Sequence, residues 1–105
     1  MFVKAALMRS GFNTNVPFGG RTYHVQTEDG SVKVPVVRTL LYCAGEILAT
    51  KETDYTSLLT GPDSDLKIKK LMVLQHRLMI MELVSGIHTD GGAEKQKIIS
   101  PSSGQ

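Results

Sequence analysis

The segment LKIKKLMVLQHRLMIMELVS, residues 66–85, constrains how the rest of this chain can fold. It follows Gly61-Pro62-Asp63-Ser64-Asp65, a helix start signal, because proline is tolerated in a first turn and aspartates oppose the positive end of the helix dipole. Gly86 is a candidate C-terminal cap. The pattern predicts one helix of about five and a half turns, roughly 30 Å long.

Apolar side chains fall on three stripes of this helix when successive residues are placed about 100° apart. One sheet covers an arc of little more than about 100°, so it cannot cover all three stripes. The other stripes must stay exposed, be covered by loops or the N-terminal residues, or be buried against another copy or another protein. The sequence leaves open which stripe faces the sheet. The first stripe contains Leu71, Leu74, Leu78 and Met81, the second Ile68, Met72, Met79 and Leu83, and the third Val73, Ile80 and Val84.

Upstream of the helix, apolar and polar residues alternate between residues 12 and 55, with turn residues at short intervals. This pattern is typical of an antiparallel meander. Gly19-Gly20 and Ala44-Gly45 predict two tight turns between neighbouring strands. The expected strands cover residues 12–18, 21–27, 36–43 and 46–55.

The residues of the strands also indicate which strands lie at the edge of the sheet and which lie in its interior. Pro17 favours an edge position for the first strand, because proline cannot donate to a ladder on both sides. Residues 36–43 are nearly continuously apolar, which favours a central strand. Short connections favour pairing between consecutive strands. The sequence therefore predicts an α+β fold, a four-stranded antiparallel β-meander packed by one long C-terminal helix.

The length of 105 residues allows one domain. Residues 89–105 are rich in Gly, Lys, Pro and Ser, so we expect a disordered tail there and a single α+β domain over residues 1–88. Residues 1–10 carry several apolar side chains; a helical turn is open there, but we expect a further strand or an extended arm.

Composition excludes several classes of protein. The net charge of +2 creates no global field that would recruit nucleic acid or an anionic membrane. Cys43 is the only cysteine and cannot form an internal disulfide. No stretch has the order of a signal peptide, and no run of 18 residues is apolar enough to span a membrane, so we expect a cytoplasmic protein.

Few residues suggest catalysis. His24 and Glu28 share one face of the second predicted strand, which leaves an acid–base pair open as an alternative. Cys43 lacks the positive neighbours that would activate a thiol. The chain has no Cys-x-x-Cys or His-Glu-x-x-His spacing and no glycine-rich phosphate loop. We therefore expect no enzyme, no metal and no cofactor.

Three segments carry a resemblance to a known family: Phe12-Asn13-Thr14-Asn15, Gly20 to Asp29 with its His-Val-Gln-Thr-Glu-Asp run, and Ile47-Leu48-Ala49-Thr50-Lys51. In these segments the chain resembles a small family of bacterial proteins with no established activity. The resemblance covers roughly residues 11 to 85. It implies a bacterial origin and a recurrent cytosolic module, and it assigns no cofactor or catalytic residue.

The excess of apolar helix surface favours a non-enzymatic interaction or adaptor module that forms a homodimer and binds another protein. Methionines make such a surface adaptable to protein partners. The predicted interface consists of Ile68, Met72, Val73, Met79, Ile80 and Leu83.

The alternative function is a small regulatory domain that binds an anionic ligand through Arg21, Lys70 and Arg77. Lys70 and Arg77 are seven residues apart and so lie on one side of the helix. No aromatic residues alternate with these cations, so stacking of nucleic-acid bases, and hence a nucleic-acid partner, is not expected.

Overall fold

The computed structural model describes residues 11–30 and 33–88. Its strands form one antiparallel sheet in the order β1-β2-β3-β4, and a single long helix covers one face of that sheet. The predicted α+β meander with one C-terminal helix is therefore confirmed. The elements are β1 (Phe12–Phe18), β2 (Arg21–Asp29), β3 (Val36–Cys43), β4 (Glu46–Asp54), a 3₁₀ turn (Thr56–Leu58) and α1 (Ser64–Val84).

Two tight turns set the register of the sheet. Gly19 and Gly20 have φ of 61° and 82°, and they place Phe18 opposite Arg21 across β1 and β2. Ala44 and Gly45 have φ of 54° and 80° and play the same role between β3 and β4. Positive φ at both central residues gives the turn the twist of the strands that it joins.

The strand positions agree with the sequence pattern. β1 lies at one edge of the sheet, as Pro17 predicts, and β3 lies in the interior between β2 and β4. A register shift between Leu41 and Tyr42 brings Leu41 opposite Ala49 and Tyr42 opposite Ile47.

Helix α1 begins two residues before the predicted start, after Asp63 in a left-handed conformation, and no side chain caps its first turn. Its C-terminal end has the predicted glycine: Gly86 has a φ of 84°. The amide of Gly86 donates to the Leu83 carbonyl at 2.9 Å, and the amide of Ile87 donates to the Glu82 carbonyl at 3.1 Å. This pair of bonds satisfies carbonyls that the helix itself leaves without donors.

The core between α1 and the sheet consists of two apolar clusters. The first contains Tyr23, Val25, Leu41 and Cys43 of the sheet with Met79 and Leu83 of α1. The second contains Val37, Tyr55, Ile68 and Met72. In the described part of the chain, no helix is long and apolar enough to cross a membrane. The expectations for residues 1–10 and 89–105 lie outside the described residues.

Candidate functional site

The second apolar stripe of α1 faces the sheet, and we call it the inner stripe. Its four residues, Ile68, Met72, Met79 and Leu83, are 0% exposed. They fill both apolar clusters of the core. The predicted interface therefore needs a correction at these four positions: within one chain they contact their own sheet and offer no surface to a partner.

The first apolar stripe points away from the core, and we call it the outer stripe. Leu74 is 62% exposed, Leu78 46% and Met81 61%, while Leu71 is half-buried. Leu71 and Leu78 also line a cleft between α1 and the edge strand β4. Three large apolar side chains on consecutive turns therefore remain in contact with water, and this stripe is the candidate binding surface.

The third stripe lies between the other two. Val73 and Ile80 are half-buried, and Ile80 packs against the cluster that contains Met79. Val84 is 47% exposed. The predicted interface residues Val73 and Ile80 thus keep part of their surface accessible, on the side of α1 that faces β1.

A layer of hydrogen-bonded polar side chains separates the two apolar clusters, and we call it the polar layer. Gln75 Nε2 lies 3.1 Å from the carbonyl oxygens of Val37 and Lys51 and 3.0 Å from Thr39 Oγ1, so its two amide hydrogens are shared among three acceptors. The Thr53 hydroxyl donates to Gln75 Oε1. Gln75 is only 6% exposed, and its hydrogen bonds join α1 to both β3 and β4.

The layer continues through His76 to the opposite edge of the sheet. Thr27 Oγ1 lies 2.6 Å from Thr39 Oγ1 and 2.8 Å from His76 Nδ1, and His76 Nε2 lies 2.9 Å from Thr14 Oγ1. Each of the four strands thus contributes an inward-facing threonine. The members of the layer are Thr14, Thr27, Thr39, Thr53, Gln75 and His76.

The contact between Gln75 and Thr39 is consistent with one direction of the protons in this layer. Since Thr39 Oγ1 accepts from Gln75, its own proton can be donated to Thr27. The Thr27 hydroxyl is then free to donate to His76 Nδ1. This direction favours a neutral His76 that accepts at Nδ1 and carries its proton on Nε2, directed at Thr14. Burial also lowers the pKa of His76, because it disfavours the charged imidazolium.

A half-buried ion pair lies where the core meets solvent. Lys51 Nζ and His88 Nε2 are each 2.8 Å from a carboxylate oxygen of Glu82. Burial acts to raise the pKa of Glu82, but hydrogen bonds from Lys51 and His88 outweigh it and leave that pKa below its ordinary value.

The three predicted anion-binding residues do not meet within one chain. Arg21 lies at the β1–β2 turn, with its guanidinium carbon 5.9 Å from the centroid of the Tyr23 ring. Arg77 lines a different cleft with Phe12 and His76. Lys70 is exposed one turn before Leu74, in the N-terminal half of α1. The three-residue site of the alternative is therefore not assembled in the monomer.

The residues of the acid–base alternative lie on the face of the sheet opposite α1. His24 Nδ1 is 2.6 Å from Asn15 Oδ1, and its ring lies 5.4 Å from that of Tyr42. Glu28 is exposed and lies opposite Arg38 in the register of β2 and β3. Cys43 is buried, and its thiol lies 3.4 Å from the Thr22 carbonyl oxygen. Within residues 11–30 and 33–88, no three His, Cys, Asp or Glu side chains are grouped as metal ligands.

Sequence reasoning missed the polar layer. Its signal is a threonine at an inward position of each strand, together with adjacent Gln75 and His76 at the centre of an apolar helix. The pairing of these residues depends on strand register, which the local pattern does not contain.

No protein-family model, curated protein or solved structure matches this chain. The resemblance to a bacterial family therefore stays an interpretation of the quoted segments.

Proposed function

We propose that this chain is a non-enzymatic interaction module that forms a homodimer through the outer stripe of α1. The observation that carries the proposal is the exposure of Leu74, Leu78 and Met81 on one side of a helix whose other side is already covered. Burial of a leucine or methionine side chain is worth about 1.5 to 3 kcal/mol before entropy costs. A second copy offers an equally apolar surface.

The spacing of the outer stripe supports a second copy as the occupant. Its members are three, four and three residues apart, so the stripe is symmetric about position 76. A two-fold axis at that position brings Leu71 opposite Met81 and Leu74 opposite Leu78 in an antiparallel helix pair. A two-fold interface uses the same surface on both copies, and this spacing satisfies that condition.

The ends of the stripe support the same register. Spacings of three and four continue to Lys67 at one end and to Ser85 at the other, and both are exposed polar residues. The apolar seam therefore spans two heptads, as in a short antiparallel coiled coil. A shift of either helix by one heptad would place Lys67 or Ser85 against apolar side chains, which disfavours other registers.

The experiment is a measurement of molar mass by sedimentation equilibrium between about 1 µM and about 300 µM, in chloride and in phosphate buffer. This range detects association free energies between about −8 and about −5 kcal/mol. We expect the mass to rise with concentration from 11.5 kDa towards twice that value. Leu78→Glu should hold the chain at the monomer mass, since it places like charges on both sides of the seam.

Ile47→Glu is the matched control, because Ile47 is 58% exposed on β4 but lies outside α1. This variant should associate like the unsubstituted chain. A chain that stays monomeric over the whole range in both buffers overturns the proposal. Equal dissociation by Leu78→Glu and Ile47→Glu also overturns it.

A further inference from the structure

We propose that the homodimer carries a binding site for a ligand with several phosphate groups, formed by Lys70 and Arg77 of both copies. This inference rests on the proposed antiparallel pairing. The site does not exist in one chain, because each copy supplies only half of its cations.

Lys70 and Arg77 lie on the same side of the outer stripe of α1. Measured around the helix axis from the centre of the outer stripe, Lys70 lies about 60° and Arg77 about 80° to one side, at about 100° per residue. Both are exposed. The inner stripe lies on the other side of the outer stripe. Lys70 and Arg77 therefore form one exposed flank of the outer stripe, and Arg77 borders the cleft that it shares with Phe12 of β1.

The two-fold axis of the proposed dimer brings the cations of both copies to one side of the dimer. In an antiparallel pair related by an axis perpendicular to both helices, the same flank of each helix faces the same side of the dimer. Arg77 lies about 1.5 Å from the axis along the helix and Lys70 about 9 Å from it, at a rise of about 1.5 Å per residue. Both arginines of the dimer thus lie near the axis, with one lysine beyond each of them.

The acidic residues of α1 lie away from Lys70 and Arg77. The carboxylates of α1 are Asp65 and Glu82. Glu82 lies on the opposite flank of the outer stripe, where it is bound to Lys51 and His88. Asp65 lies on the side of the inner stripe, by its position around the axis. Neither carboxylate lies beside Lys70 and Arg77. The four cations of the dimer therefore repel one another, and an anion that bridges them reduces this repulsion.

The ligand class follows from the length of this flank. Its four cations extend over about 18 Å along the helices, counted from one Lys70 to the other. Arginine binds phosphate oxygens in a bidentate manner, and lysine acts as a mobile point charge. A single phosphate can contact the arginines at the centre, whereas an anion with several phosphate groups can contact more of the flank.

Binding should be coupled to dimerisation, because only the dimer holds the complete site. The test measures the dimer dissociation constant by sedimentation equilibrium with and without inorganic tripolyphosphate, at an ionic strength held constant with potassium chloride. We expect tripolyphosphate to lower this constant by roughly three- to tenfold, which is a modest coupling.

Arg77→Gln should abolish the effect of tripolyphosphate while leaving the dimer intact or tighter, because it removes repulsion near the axis. Lys69→Gln is the matched control: it removes one charge from an exposed position on the same helix, but on the far side from the outer stripe. This control should keep the full response. If Arg77→Gln and Lys69→Gln respond equally, the inference is overturned.

The remaining outcomes separate the inference from the proposed function. A dimer whose dissociation constant ignores tripolyphosphate overturns the site and leaves the proposed function intact. A chain that is monomeric with and without tripolyphosphate overturns both. Tripolyphosphate binding of equal strength to the monomeric Leu78→Glu variant overturns the site, because the site then needs no second copy.

Discussion

The two long faces of α1 differ in a way that hydrophobicity does not explain. The centre of the inner face carries Gln75 and His76, which are only 6% and 7% exposed. The centre of the outer face carries Leu74 and Leu78, which are 62% and 46% exposed. Polar side chains are therefore buried at a level of the helix where leucines contact water.

Hydrogen bonding accounts for this difference. A buried amide or imidazole is tolerated when its polar atoms find partners, and the threonines of the polar layer supply them. These bonds need one rotation of α1 and one register of the sheet, whereas apolar contacts tolerate several. The polar layer thus selects the stripe that faces the sheet.

The largest effect is expected from a pair of methionines two residues apart. Met79 is 0% exposed and Met81 is 61% exposed. Met79→Ala should lower the free energy of unfolding by about 2 to 5 kcal/mol, because it leaves a cavity in the core. Met81→Ala should change it by less than about 0.5 kcal/mol in the monomer. Urea denaturation at low protein concentration measures both, and equal losses would contradict the assignment of the two faces.

The next effect concerns the polar layer itself. Gln75→Leu should lower the free energy of unfolding by about 2 kcal/mol, because it leaves the Val37 and Lys51 carbonyls without their side-chain donor. Leu74→Gln is the reverse exchange at the neighbouring exposed position and should cost less than about 0.5 kcal/mol. Gln75→Leu with unchanged or raised stability would show that apolar packing alone orients the helix.

The sequence predicts the fold because the signals for it are local. Gly19-Gly20 determines the first turn, Pro17 indicates the edge strand, and Gly86 marks the end of α1. The orientation of α1 is not local: three stripes of similar apolarity compete, and hydrogen bonds between residues far apart in the chain decide among them. His76, for example, meets Thr14 across 62 positions. The sequence pattern alone therefore does not show that the four inner-stripe residues face the sheet and not a partner.

A smaller effect follows from the protonation of His76. Its pKa is lowered in the folded chain by burial, whereas the unfolded chain titrates near the ordinary value of 6.5. Below that value the unfolded state binds more protons, so stability should fall as pH decreases through and below 6.5. Protonated His76 would also have to donate to Thr27 Oγ1, so Thr27 could no longer donate to His76 Nδ1.

Urea denaturation between about pH 7.5 and about pH 5 measures this dependence. The window avoids Glu82 and Asp54, since their lowered pKa values place their loss of stability at more acidic pH. His76→Gln should flatten the slope between these limits, and His24→Gln, a change on the face of the sheet opposite α1, should leave it in place. A slope that survives His76→Gln would assign it to another group.

The smallest expected effect concerns the ion pair between Lys51 and Glu82, which lies where the inner face of α1 meets solvent. The side chains of the Lys51–Glu82 pair are 28% and 20% exposed, whereas both side chains of the Arg38–Glu52 pair, on the face of the sheet opposite α1, are 49% exposed. Water screens the second pair more, so Lys51→Gln should cost about 0.5 to 1 kcal/mol and Arg38→Gln less than about 0.5 kcal/mol. Raising the salt concentration should narrow that gap, because the difference is electrostatic. If the two substitutions lower the free energy of unfolding equally at low salt, the lower exposure of the Lys51–Glu82 pair does not strengthen that ion pair. The energetic difference between the two faces of α1 then lies only in the apolar clusters and the polar layer.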